Sequence, residues 1–93
     1  MTEKKMQQAV INFLMSHGIY YLKTIVCSRA GVPDIIACVN GWLLALEIKG
    51  TGGKESELQK YNGEKIRQSG GKYFVVTPEN YISVTESILK EIK

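Results

Sequence analysis

Asp34-Ile35-Ile36-Ala37-Cys38-Val39-Asn40-Gly41-Trp42-Leu43-Leu44-Ala45-Leu46-Glu47 consists of two apolar runs joined by Asn-Gly. Asn-Gly between apolar runs is the strongest short-range signal for a two-residue β-hairpin. If Val39 pairs with Trp42, Asp34 falls directly opposite Glu47. Cross-strand partners have Cβ atoms roughly 5 Å apart, where like charges repel. At an effective dielectric of about 20 that repulsion is roughly 3 kcal/mol, too much for a small domain to leave uncompensated. A divalent cation between the carboxylates is one remedy. Lys49, two residues beyond Glu47, projects from the same face. Two acids and a lysine at one strand end suggest a metal-dependent phosphodiester-cleaving site. The plainer alternative is a longer loop that slips the register and leaves two solvated strand-end acids.

Outward from the hairpin, Thr2 caps a helix whose first turn carries Glu3, with Met6, Ala9, Val10, Phe13 and Leu14 at helical spacing and Gly18 at its end. The β-branched and aromatic run from Ile19 to Val26 reads as a strand, and Cys27 to Pro33 as a loop. After the glycine-rich loop Gly50 to Gly53, Ser56-Glu57-Leu58-Gln59 forms a capping box that opens a second helix through about Gln68. Gly70-Gly71 closes it, Lys72 to Val76 is a fourth strand, and Thr77-Pro78 reads as N-cap and first turn of a last helix carrying Tyr81, Ile88, Leu89 and Ile92 on one side. The order is α-β-β-β-α-β-α, an α/β fold. Both faces of the hairpin are apolar, so helices should flank a small mixed β-sheet, the crossover making the third and fourth strands parallel.

Composition sets the outer limits. The 93 residues make one domain, and 44% apolar with 23% charged residues is ordinary globular composition. A net charge of +3 is compatible with nucleic acid and with many other partners. Cys27 and Cys38 lack zinc-site or disulfide spacing and are expected to be small buried residues in a reducing cytosol. No apolar signal segment or membrane-length run is present, so a soluble intracellular protein is expected, without membrane association.

Each candidate site residue has two readings. Asp34 and Glu47 suit Mg²⁺ or Mn²⁺, which prefer carboxylate oxygens and keep positions for water and phosphate. Lys49 is either a strand-end partner for one acid or a group that stabilises the attacked phosphate and orients the water. Glu3 is placed well by the helix macrodipole alone, or adds a carboxylate to the metal site. Gln59 belongs to the capping box, or holds the water or a phosphate. Ser28, Arg29 and Gly31 are candidate phosphate contacts, and the Gly50 to Lys54 loop could approach a nucleic-acid backbone closely, or both are simply turns. His17, Trp42 and the tyrosines read as structural.

Gly31-Val32-Pro33-Asp34 followed by Glu47-Ile48-Lys49 resembles the PD-(D/E)xK nuclease signature. With the first-helix acid, the Asn-Gly turn, the glycine loop, the helical Gln and Gly70 to Val76, nearly the whole chain is similar to one branch, the VRR-NUC (virus-type replication-repair nuclease) domain. That resemblance implies a restriction-endonuclease-like core and metal-assisted hydrolysis of DNA phosphodiesters. It implies Asp34, Glu47 and the Ile48 backbone carbonyl as metal ligands, Lys49 as the catalytic lysine, Gln59 as the motif glutamine, and Glu3 as the helix-one acid. Stand-alone members of this size are typically of phage or viral origin, which would place the protein in host cytoplasm. Their likeness to Holliday-junction resolvases implies a homodimer acting on branched DNA, with no small-molecule cofactor beyond the metal. A flap or nicking nuclease, and a catalytically silent DNA-binding module, are the competing expectations.

Overall fold

The computed structural model describes residues 1–92. The elements run α1 (Glu3–Ser16), β1 (Tyr20–Lys23), β2 (Ile35–Val39), β3 (Trp42–Ile48), α2 (Glu57–Gln68), β4 (Lys72–Val76) and α3 (Tyr81–Glu91). The sheet order is β1-β2-β3-β4, with β1–β2 and β2–β3 antiparallel and β3–β4 parallel. This is the expected mixed sheet.

The hairpin turn is built as its sequence demands. Asn40 (φ 52°) and Gly41 (φ 89°) both occupy left-handed backbone, the requirement of a two-residue turn whose twist matches the strands. Val39 pairs with Trp42 and Ile35 with Leu46, so the alternative register is ruled out. The next positions along this ladder are Asp34 and Glu47.

Alternation then divides the sheet into two faces. Ile35, Ala37, Val39, Leu44, Leu46, Ile48 and Val76 form the core with Met6, Val10, Ile11 and Leu14 of α1 and Val84 and Ile88 of α3. The opposite face carries Tyr20, Leu22, Ile36, Cys38, Leu43, Ala45, Glu47 and Tyr73, by the same registers. Helix α2 covers it over β3 and β4, where Gly63 lies flush on the Tyr73 ring. Toward β1, Tyr20, Leu22, Cys38 and Leu43 stay exposed.

Four expectations change. The first strand ends at Lys23 rather than Val26: Thr24 N–H still reaches Asp34 O, but the next position opposite is Pro33, which has no N–H, and Ile25 N–H turns back onto Lys23 O. The last helix starts at Tyr81, not after Thr77. Thr77 and Asn80 instead close a turn on each other: Thr77 N–H donates to Asn80 Oδ1 (2.8 Å) and Asn80 N–H to Thr77 Oγ1 (3.3 Å), while Asn80 Nδ2 reaches Val75 O at 2.8 Å. The buried stripe of α3 is Val84 and Ile88, while Leu89 and Ile92 remain 36% and 40% exposed. Both cysteines are exposed, not buried: Cys27 lies in the loop after β1 and Cys38 on the uncovered half of the sheet. Among the described residues no helix is long and apolar enough to cross a membrane.

Candidate active site

Strand β3 delivers Glu47 into the protein. Its side chain lies on the α2 face and is only 1% exposed, a rare position for an acid. Two donors converge on Oε2: Gln59 Nε2 at 3.0 Å and Lys49 Nζ at 3.4 Å. The other oxygen, Oε1, is buried with no hydrogen-bond donor. The neighbouring Asp34 carboxylate is itself an acceptor and offers none. Burial, then the Asp34 charge, push Glu47 up from 4.5 to about 7, with Lys49 pulling the other way. A buried carboxylate oxygen without a donor, next to a second carboxylate, calls for a proton or a cation.

Asp34 sits at the entry of β2, where Pro33 has no N–H to continue the ladder. Its Oδ2 accepts the Ile48 N–H at 2.8 Å, which caps the end of β3. The same bond fixes the direction of the Ile48 carbonyl. Lys49 N–H points to β4, donating to Val76 O at 2.9 Å, and across a trans peptide the preceding C=O points the opposite way. The Ile48 carbonyl is therefore directed to the Asp34 side. Asp34, Glu47 and this carbonyl present hard oxygen donors around one strand end, and the donorless Glu47 oxygen is among them. That set fits a hard divalent cation such as Mg²⁺ or Mn²⁺.

Gln59 forms the expected capping box and adds a contact that neither reading of it named, to Glu47. In the capping box Ser56 N–H donates to its Oε1 (2.8 Å) and its own N–H to Ser56 Oγ (3.2 Å), while its Nε2 is free to bind Glu47. One amide thus serves cap and acid at once. Lys49 is mostly buried and held by the loop that follows: Gly53 packs on its Cβ, and Gly50 lies so close to Met1 O and Glu3 N that a Cβ there would sit 2.8 Å from each. The start of α1 is further tied to this loop by Thr51 N–H donating to Met1 O at 3.0 Å.

Glu3 does not join the acid pair. It is the backbone of the first α1 turn that docks on Gly50, and the Glu3 side chain is exposed; among the described residues no three His, Cys, Asp or Glu side chains form a metal-binding group. Ser28, Arg29 and Lys54 are exposed on the two loops that flank the site, after β1 and after β3. Ser28 and Arg29 are held near it indirectly, because Asn62 Nδ2 binds Ala30 O at 3.3 Å and Leu58 packs on Gly31.

Three residues here have no local signature. Thr24 binds the chain at and just before Asp34, its N–H donating to Asp34 O at 2.9 Å and its hydroxyl to Pro33 O. Tyr73 donates to Glu55 Oε2 at 2.7 Å and stacks under Arg67, anchoring the residue that precedes the capping box. Burial, then the Glu55 carboxylate, push the Tyr73 phenol pKa up, so it stays protonated and donates. Asn62 is buried, its Nδ2 donating to Leu58 O at 2.9 Å and to Ala30 O at 3.3 Å. Only a buried polar position on α2 could have flagged the last. His17 is structural as expected, bonded to Phe13 O and packed on the Phe13 ring.

No protein-family model matches the chain, and no curated protein is significantly similar to it.

Proposed function

We propose that this protein is a Mg²⁺- or Mn²⁺-dependent DNA endonuclease of the VRR-NUC type, acting as a homodimer on branched DNA with four-way junctions as leading substrate. The observation that carries the reading is Glu47: a buried acid with one oxygen lacking a donor, set beside Asp34 and gripped by Lys49 and Gln59. A structural acid would be satisfied on both oxygens or replaced by an apolar residue at lower cost. A bound metal ion would supply charge neutralisation at the scissile phosphate and a water of lowered pKa.

The chain's own groups divide the remaining work. Asp34 and Glu47 hold the cation, with the Ile48 carbonyl. Lys49 stabilises negative charge developing on the attacked phosphate and orients the attacking water. Gln59 keeps Glu47 in its ligating rotamer. Ser28, Arg29 and Lys54 receive the DNA backbone, through contacts that position rather than read sequence.

The uncovered part of the sheet supports the dimer. Tyr20, Cys38 and Leu43 are register partners, so they form a straight uncharged row across three strands. A small domain that exposes such a row next to Leu22 has the apolar patch expected of an association surface.

The reading is tested by incubating the purified protein with labelled four-way junction, flap and linear duplex in Mg²⁺, Mn²⁺ or EDTA. Metal-dependent cleavage that disappears in Asp34→Ala is the expected result. Absence of cleavage on every substrate, or cleavage that survives both EDTA and Asp34→Ala, overturns it. DNA binding without cleavage would instead mark a silent binding module.

A further inference from the structure

Ile25 and Val26 are the most exposed large apolar side chains among the described residues, at 81% and 91%. They stand at the start of the loop after β1. Ile25 N–H donates to Lys23 O at 3.1 Å, a tight turn that projects the tip. The residue before them, Thr24, is fastened to Asp34 O and Pro33 O. Thr24 and Asp34 continue the β1–β2 register, so the Ile25 backbone lies within about 10 Å of the Asp34 backbone. That is about three base-pair steps of DNA.

The surroundings of the tip select its occupant. Exposed Lys23 precedes it, and exposed Ser28 and Arg29 follow it. An apolar tip between cations matches nucleic acid, whose apolar base faces lie between anionic backbones, better than it matches an apolar protein surface. In continuous duplex those faces are stacked, and inserting a side chain costs unstacking. At a branch point the arms meet end to end with strands exchanging between them, so the terminal base-pair faces part at lower cost than in continuous duplex. The tip therefore gains most where the duplex is interrupted.

We propose that Ile25 and Val26 form an apolar wedge that packs on a terminal base-pair face at a DNA branch point, and that this contact gives the protein a preference for branched over linear DNA. The proposal rests on the nuclease reading above and adds the element that senses DNA shape.

The test compares wild type, the double variant Ile25→Ser/Val26→Ser and the control Ile82→Ser, whose side chain is 70% exposed on α3 across the sheet. The DNA is a four-way junction and a linear duplex of the same sequence, with 2-aminopurine beside the branch point. Binding is followed with Ca²⁺ in place of Mg²⁺, and cleavage in single turnover with Mg²⁺. The expected result is a rise in 2-aminopurine fluorescence with wild type and Ile82→Ser but not with the double variant. The junction-over-linear preference of the double variant should fall by about tenfold or more, the order expected for losing two buried aliphatic contacts. An unchanged preference and fluorescence response in the double variant overturns the wedge while leaving the nuclease reading intact. So does a double variant that is monomeric at concentrations where wild type is dimeric, which would assign the tip to the contact between copies. If wild type neither binds nor cuts any of the DNAs, the nuclease reading fails and the wedge with it.

Discussion

Gln59 donates from Nε2 to Glu47 Oε2 at 3.0 Å while its Oε1 accepts the Ser56 N–H at 2.8 Å, so one amide joins a helix cap to a buried acid. Gln59→Leu breaks both links. The expected cost is about 1–2 kcal/mol of stability from the lost cap and the undonated acid. Metal affinity and cleavage should fall about 10–100-fold, as for groups that orient metal ligands. Thermal melts with and without Mg²⁺, alongside cleavage rates, separate the two: a purely structural cap would lower the melting temperature and leave metal affinity unchanged.

Glu47→Gln should uncouple stability from activity. The variant keeps the shape and an acceptor for Gln59 but removes the buried charge facing Asp34. Cleavage and metal-induced stabilisation should vanish. In EDTA at pH 8 the variant should nevertheless melt several degrees above wild type, a gain of about 1–3 kcal/mol. A variant less stable than wild type under those conditions would mean that Glu47 is no burden when ionised.

The metal-free wild type should itself lose stability as pH rises. Between 4.5 and about 7, folded Glu47 holds a proton that the unfolded chain has released. Its stabilisation is complete below the unfolded value, declines across that window and is gone above it, a span of roughly 3 kcal/mol. On the proposed reading a bound cation would take the place of the proton, so the Mg²⁺-induced rise in melting temperature should be small at pH 5 and large at pH 8. Denaturant melts across pH in EDTA and in Mg²⁺ check both slopes.

Pairing through the Tyr20–Cys38–Leu43 row predicts a mass of about 21 kDa by light scattering, twice the 10.4 kDa chain. Leu22→Arg, on the same uncovered face, should shift the protein to monomer without unfolding it. Mild oxidation should cross-link copies through Cys38, and Cys38→Ser should abolish that cross-link while Cys27→Ser does not. A wild-type monomer at micromolar concentration would refute the interface.

Local chemistry made much of this molecule legible. Asn40-Gly41 set the register that aligns Asp34 with Glu47, and Ser56 with Gln59 announced the start of α2. Where two readings of a segment depended on a distant partner, sequence was insufficient. Ile25 and Val26 have strand propensity but no strand opposite them. Thr77-Pro78 has the composition of a helix start, yet Asn80 takes the Thr77 hydroxyl and amide into a turn. Glu3 lies at the right helix end, but backbone packing on Gly50 leaves its carboxylate outside the acid pair. The bond between Tyr73 and Glu55 spans eighteen positions and follows no periodicity.

The Asn40-Gly41 turn has one more consequence, chemical rather than geometric. Asparagine followed by glycine is the dipeptide most prone to cyclise and lose ammonia, because glycine leaves the attacking backbone nitrogen unshielded. Reopening to isoaspartate threads an extra backbone carbon through a connection with room for only two residues. The strands could then no longer align as before, although neither acid had been touched. The protein would carry its own shelf life at the far end of the hairpin from its chemistry. Incubation at mildly alkaline pH should cost cleavage activity in proportion to isoaspartate found at position 40 by peptide mapping, and Asn40→Gly should outlast wild type. Equal decay of the two would show that the site ages by another route.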